Sequence, residues 1–106
     1  MKTDCIQVFV SCASQAEANM MVETLLTDQI IACAQIMPGV ESFYRWQGQM
    51  TQSSEVLLVL KTRQSHFERL RSTIKQHHSY DVPEIIAVPL VNGDQDYLNW
   101  IHEETK

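Results

Sequence analysis

The stretch SSEVLLVLKT, residues 53–62, decides the fold. Its centre, VLLVL at 56–60, is apolar at every position. A strand with one face in water alternates apolar and polar residues, so this strand needs cover on both faces. Glu55 and Lys61 bracket it. Their separation is even, so they share one face, where they offer either a structural ion-pair network or a polar site at a subunit seam near Tyr80, Glu84 or Tyr97.

Working upstream, ACAQIMPGVESFYRW (32–46) is a second extended run, interrupted by Pro38-Gly39. A proline cannot donate to a ladder, so this run is predicted to be an edge strand with a bulge or bend there. QGQMTQ (47–52) is read as a short turn that folds the two runs into a hairpin. CIQVFVSC (5–12) is a third strand, with Ile6, Val8, Val10 and Cys12 on one face and Cys5, Phe9 and Ser11 on the other. Ser14 and Glu17 have the spacing of a capping box. The helix behind them carries Ala16, Met20, Met21 and Leu25, with Ile30 or Ile31 near its end. Downstream, a helix capped by Thr62 or by Ser65 and Glu68 should bury Phe67, Leu70 and Ile74. PEIIAVPLV (83–91) is the last main strand. Asp94 or Asp96 then caps a short helix carrying Tyr97, Leu98, Trp100 and Ile101.

The order βαββαβ plus a tail helix predicts an α+β, ferredoxin-like sandwich in a single domain, 1–106, with the first and third strands central. Two long helices cover one face of such a sheet. The other face calls for a second copy of the chain or for the tail helix.

Composition narrows the function. The chain has 106 residues, 44% of them apolar, enough for one core. A net charge of −5 without a basic run argues against a nucleic-acid surface. No run of about 20 apolar residues is present, so no membrane span is expected. MKTDCIQVFVSC lacks the apolar core segment and cleavage pattern of a secretory leader. Three cysteines without framework spacing predict free thiols in a reducing, cytoplasmic setting. Five methionines read as core filling, and Tyr44, Trp46, Tyr97 and Trp100 as packing or interface aromatics.

HHSYDVPE (77–84) carries the candidate chemistry. Imidazoles suit copper, zinc and nickel, but helical neighbours point about 100° apart, so His77 and His78 share an ion only if the helix end has frayed. A polar helix terminus favoured by the dipole is the other reading. Cys12 ends a central strand before a helix start, where a thiolate would gain from the helix N-terminus; otherwise it is a small buried hydrophobe. Cys33 reads as core and Cys5 as incidental. No dinucleotide or phosphate-loop motif and no nucleophile–base pair occurs, and CASQAEA lacks the Gly-rich, Arg-bearing loop of an acylphosphatase, so the chain is not read as an enzyme.

ACAQIMPGVESFYRWQGQM, EVLLVLKT, HHSYDVPE and GDQDYLNWI, in this order, resemble the CutA divalent-cation tolerance family over nearly the whole chain. The resemblance implies a tight homotrimer with sheets packed inward, helices outside and the long hairpin reaching a neighbour. It also implies binding of copper (Cu2+) and other divalent cations, with the metal positions falling on Cys12, His77 and His78. Gln47 stands where many members have Glu, which removes one surface carboxylate. The alternative is a PII-like trimeric regulator with a small ligand in the subunit clefts and Lys61 as a contact, although 47–52 is too short for that family's long loop.

Overall fold

The computed structural model describes residues 3–106; Met1 and Lys2, where the leader reading begins, lie outside them. Strand β1, Cys5–Cys12, is the centre of the molecule. Val8, Val10 and Cys12 are fully buried, as the alternation requires, and pack with Leu58, Leu60, Leu70 and Ile74 in the main core. Helix α1, Gln15–Thr27, starts at Ser14, whose side chain accepts from the Glu17 N–H. It buries Ala18, Met21 and Leu25. Of the apolar residues predicted on this helix, Met21 and Leu25 face the sheet with Ala18 beside them, whereas Ala16 and Met20 are exposed: at about 100° per residue 18, 21 and 25 fall within about 60° of one another, and 16 and 20 lie outside that sector. Ile30 and Ile31 are buried beyond the helix end.

Strand β2, Cys33–Trp46, pairs with β3, Gln49–Arg63, for nearly its whole length. The turn between them is only Gln47-Gly48, with φ of 51° and 80°. Positive φ at both positions gives the two-residue turn whose twist matches a hairpin, so pairing starts at once and the predicted six-residue turn shrinks to two. The bulge falls where Pro38-Gly39 predicted it. Met37 pairs with Leu57 and Val40 with Glu55, so β2 spends three steps where β3 spends two. Side-chain parity inverts there, and Val40, Tyr44 and Trp46 follow Glu55 onto the face that carries Met37.

Because β3 continues through Arg63, neither proposed cap of the second helix forms. Thr62 is buried and donates to the Ile30 carbonyl at 2.6 Å. A single 3-10 turn at Gln64–His66 leads into helix α2, Phe67–His77, which has no side-chain cap and buries Leu70 and Ile74. Strand β4, Ile85–Pro89, pairs with the other edge of β1, and helix α3, Gln95–Glu104, starts at Asp94, which accepts from the Tyr97 N–H.

The sheet order is β2-β3-β1-β4, antiparallel throughout, with β1 and β3 central. Helix α3 crosses one end of the face opposite α1 and α2, where Leu98 and Ile101 pack on Cys5 and Ala32. It covers only that end. The strand registers place Phe9, Leu57, Met37, Ile86 and Val88 on the same face, and Met37 and Ile86 stay about half exposed. Among the described methionines only Met21 is buried, so the core-filling role belongs to that residue alone. Cys33 is half-buried, with its thiol 3.5 Å from the Tyr97 hydroxyl, rather than in the core.

Candidate metal centre

Three chain segments meet beyond the end of β1. Cys12 is its last residue and points into the core. Glu17 lies in the first turn of α1. His78 follows α2 in an extended conformation, which turns its ring away from the helix surface and back toward the sheet. The His78 ring is fully buried. Its Nε2 donates to the Ser11 carbonyl at 2.7 Å and its Nδ1 accepts from the Tyr80 N–H at 3.0 Å. Those two partners fix the tautomer with the proton on Nε2. The ring also packs against Tyr80, with centroids 4.8 Å apart.

Glu17 does more than the capping box assigned to it. Its Oε1 accepts from the Ala13 N–H at 2.9 Å, and its Oε2 accepts from the Ser79 N–H at 2.9 Å. The carboxylate thus ties the start of α1 to the segment after α2. Burial opposes its charge, but the bonds from Ala13 and Ser79 and the nearby His78 outweigh burial and hold the carboxyl below its ordinary range. The Cys12 sulfur, a Glu17 carboxylate oxygen and a His78 ring nitrogen all lie within 4.8 Å of one another.

The structure brings together two of the three sequence-identified residues and adds a third. His77 stays apart: its ring is exposed and Nδ1 donates to the Thr73 carbonyl at 2.9 Å, one turn back. The two histidines diverge because His77 still has helical backbone and His78 does not. Glu17 was legible only as a cap, since nothing in the sequence links it to a histidine 61 positions on.

The donors form a mixed set of sulfur, nitrogen and oxygen, which suits borderline and soft divalent ions better than magnesium or calcium. Taking an ion costs two rearrangements. His78 must release Ser11 or Tyr80, and Cys12 must lose its proton. The Cys12 thiol is pushed up to about 12 by burial first, then by the charges of Glu17 and Glu55. The helix N-terminus therefore does not hold it as a thiolate, because desolvation and two carboxylates outweigh the dipole. The same two carboxylates favour a cation. The residues present fit a divalent ion that arrives as the thiol proton leaves.

A hollow of about 330 Å³ adjoins this centre, lined by Ser11, Tyr44, Trp46, Glu55, Tyr80 and Glu84 among others. Glu55 is buried on its wall and accepts from the Tyr80 hydroxyl at 2.7 Å. Lys61 donates instead to the Gln35 side chain at 3.1 Å. Six positions of strand separate Glu55 from Lys61, about 20 Å, so no ion pair joins them within one chain.

The sequence model of the CutA1 divalent ion tolerance protein family matches residues 6–104. The divalent-cation tolerance protein CutA of Thermus thermophilus is 38% identical over 98 residues, spanning 92% of this chain and 95% of that protein. The chloroplastic protein CutA of Arabidopsis thaliana is 38% identical over 101 residues, 95% of this chain, but this chain spans only 56% of its length. The crystal structure of CutA1 from Oryza sativa superposes with a TM-score of 0.95 at 34% identity, covering 99% of this chain and 96% of that one.

Proposed function

The chain belongs to the CutA1 divalent ion tolerance family, and from that premise we propose that it is a homotrimeric binding protein for divalent cations, copper foremost, with Cys12, Glu17 and His78 as the ligands. The observation that carries this reading is the convergence of those three donors within 4.8 Å at the end of β1. His77 joins the set only if the last turn of α2 opens and frees its ring from Thr73. The chain's own residues would do three things. Glu17, ionised and fixed by two N–H groups, supplies the anchoring charge; His78 supplies a buried nitrogen; Cys12 supplies sulfur once its proton is lost.

Two features support the trimer. The apolar face around Phe9, Leu57 and Val88 is left open by α3. Among the described residues, 40–46 and 49–55 form an arm that pairs with no third strand, with Phe43 and Met50 largely exposed. A two-stranded arm is marginal alone in water, and a neighbouring copy would support it. The three free cysteines favour a reducing compartment, and we place the chain in the cytoplasm.

Copper tops the affinity series at almost any nitrogen site, so binding alone does not establish the role. The test is a competitive copper and zinc titration of the reduced protein, with solution mass read on the same samples. Stoichiometric binding that is lost in Cys12→Ser and His78→Ala, at unchanged trimer mass, supports the reading. Binding indifferent to both changes overturns it.

A further inference from the structure

The arrangement at the end of β1 is repeated at its beginning. Asp4 immediately precedes β1, Cys5 opens it, and His102 lies in the last turn of α3. His102 Nε2 donates to Asp4 Oδ1 at 2.5 Å, and the Cys5 sulfur lies within 4.8 Å of both ligand atoms. We propose that Asp4, Cys5 and His102 form a second divalent-cation site, selective for zinc-like and cadmium-like ions, about 23 Å along β1 from Cys12.

Three observations carry the proposal. First, the donor types match those of the Cys12 centre: one thiol, one imidazole and one carboxylate, a set that disfavours hard ions. Second, the thiol is built into the fold. Cys5 is 1% exposed, has no disulfide partner, and lines a hollow of about 580 Å³ whose rim also carries Asn99 and Glu103. Of the three thiols, only that of Cys33 meets a hydrogen-bond partner among the described residues, so the Cys5 sulfur has no competing hydrogen bond. Third, His102 is held in place. Leu98 and Ile101 anchor α3 on Cys5 itself, and Arg63 donates to the Thr105 hydroxyl at 2.9 Å, pinning the helix end. An ion entering between Asp4 and His102 replaces their mutual hydrogen bond: the imidazole proton moves from Nε2 to Nδ1, which frees Nε2 to ligate, and the Cys5 thiol proton leaves to solvent as the sulfur bonds the ion. Asn99 and Glu103 offer oxygen atoms to complete its shell.

The test is a cadmium titration of the reduced protein in a Cys33→Ser background, followed by thiolate-to-cadmium absorption. The starting protein should take two equivalents per chain. Cys5→Ser should take one. Asp4→Asn, a change on an exposed side chain that leaves the core intact, and His102→Gln should each weaken that equivalent by about ten-fold or more. Cys12→Ser should remove the other equivalent. If Cys5→Ser loses nothing, or if Asp4→Asn and His102→Gln bind as tightly as the parent, the three-residue site is overturned. If Cys5→Ser loses an equivalent and Cys12→Ser does not, the second site stands and the Cys12 reading alone falls.

Discussion

The Nε2 of His78 donates to the carbonyl of Ser11 at 2.7 Å, joining the end of α2 to the end of β1 across 67 positions of sequence. His77, its neighbour, holds only its own helix. The two histidines should therefore differ in stability as well as in metal binding. His78→Ala leaves the buried Ser11 carbonyl and Tyr80 N–H without their ring partners and should cost about 1–3 kcal/mol. His77→Ala, on an exposed ring, should stay within about 0.5 kcal/mol. Urea unfolding of the two variants, in chelator, measures the difference.

Tyr80 donates to the buried Glu55 carboxylate at 2.7 Å. Tyr80→Phe leaves that carboxylate short of its donor and should cost about 1–3 kcal/mol near neutral pH. Its pH profile should change too. Burial first, then the bond to Glu55 and its charge, push the Tyr80 phenol above its ordinary value. A folded chain that keeps this proton competes with an unfolded chain that releases it above about pH 10, so stability falls as pH rises past that point. Unfolding midpoints measured on either side of pH 10 should fall less steeply in Tyr80→Phe than in the parent.

The hairpin turn offers a local test. Gly48 has φ of 80° and open space where a Cβ would stand, so Gly48→Ala meets no clash and pays only the backbone penalty. That penalty should be about 1–2 kcal/mol. Gln47, at φ 51°, is an unusual occupant of the same turn, and Gln47→Asn should gain less than about 1 kcal/mol. Thermal melts of the two variants should move in opposite directions.

Much of this fold is legible in residues whose signals are local. The alternation of Ile6, Val8, Val10 and Cys12 gives β1, Pro38-Gly39 gives the bulge, and Ser14 and Asp94 mark helix starts. The site is less legible because its contacts are long-range. The one-residue bulge swaps the faces of Tyr44 and Trp46, which fixed alternation does not foresee. Glu17 satisfies a capping pattern and so hides its second bond to Ser79. Cys5 looks incidental until α3 brings His102 beside it. Thr62 and Ser65 resemble caps, but the strand runs past the first and a 3-10 turn absorbs the second.

The open sheet face predicts how assembly should fail. Ile86 and Val88 sit on that face with Phe9 and Leu57, away from the core beneath α1 and α2. If this face is the contact of the proposed trimer, Ile86→Lys and Val88→Lys should leave the subunit folded but place a charge in that contact, lowering the solution mass from the three chains proposed toward one. Gln76→Lys, at an exposed position of α2, serves as the unaffected surface reference.

The most direct test of the proposed metal centre follows the two adjacent imidazoles separately. Ring nitrogen NMR during a zinc titration of reduced protein distinguishes His77 from His78, because their tautomers differ. The expected result is that a His78 nitrogen shifts in step with the first equivalent at the Cys12 centre, while the His77 ring keeps its Nδ1–H tautomer and its bond to Thr73. A shift confined to His77, or a His78 ring that keeps both Ser11 and Tyr80 at saturating zinc, would contradict the assignment of Cys12, Glu17 and His78 as the cation site.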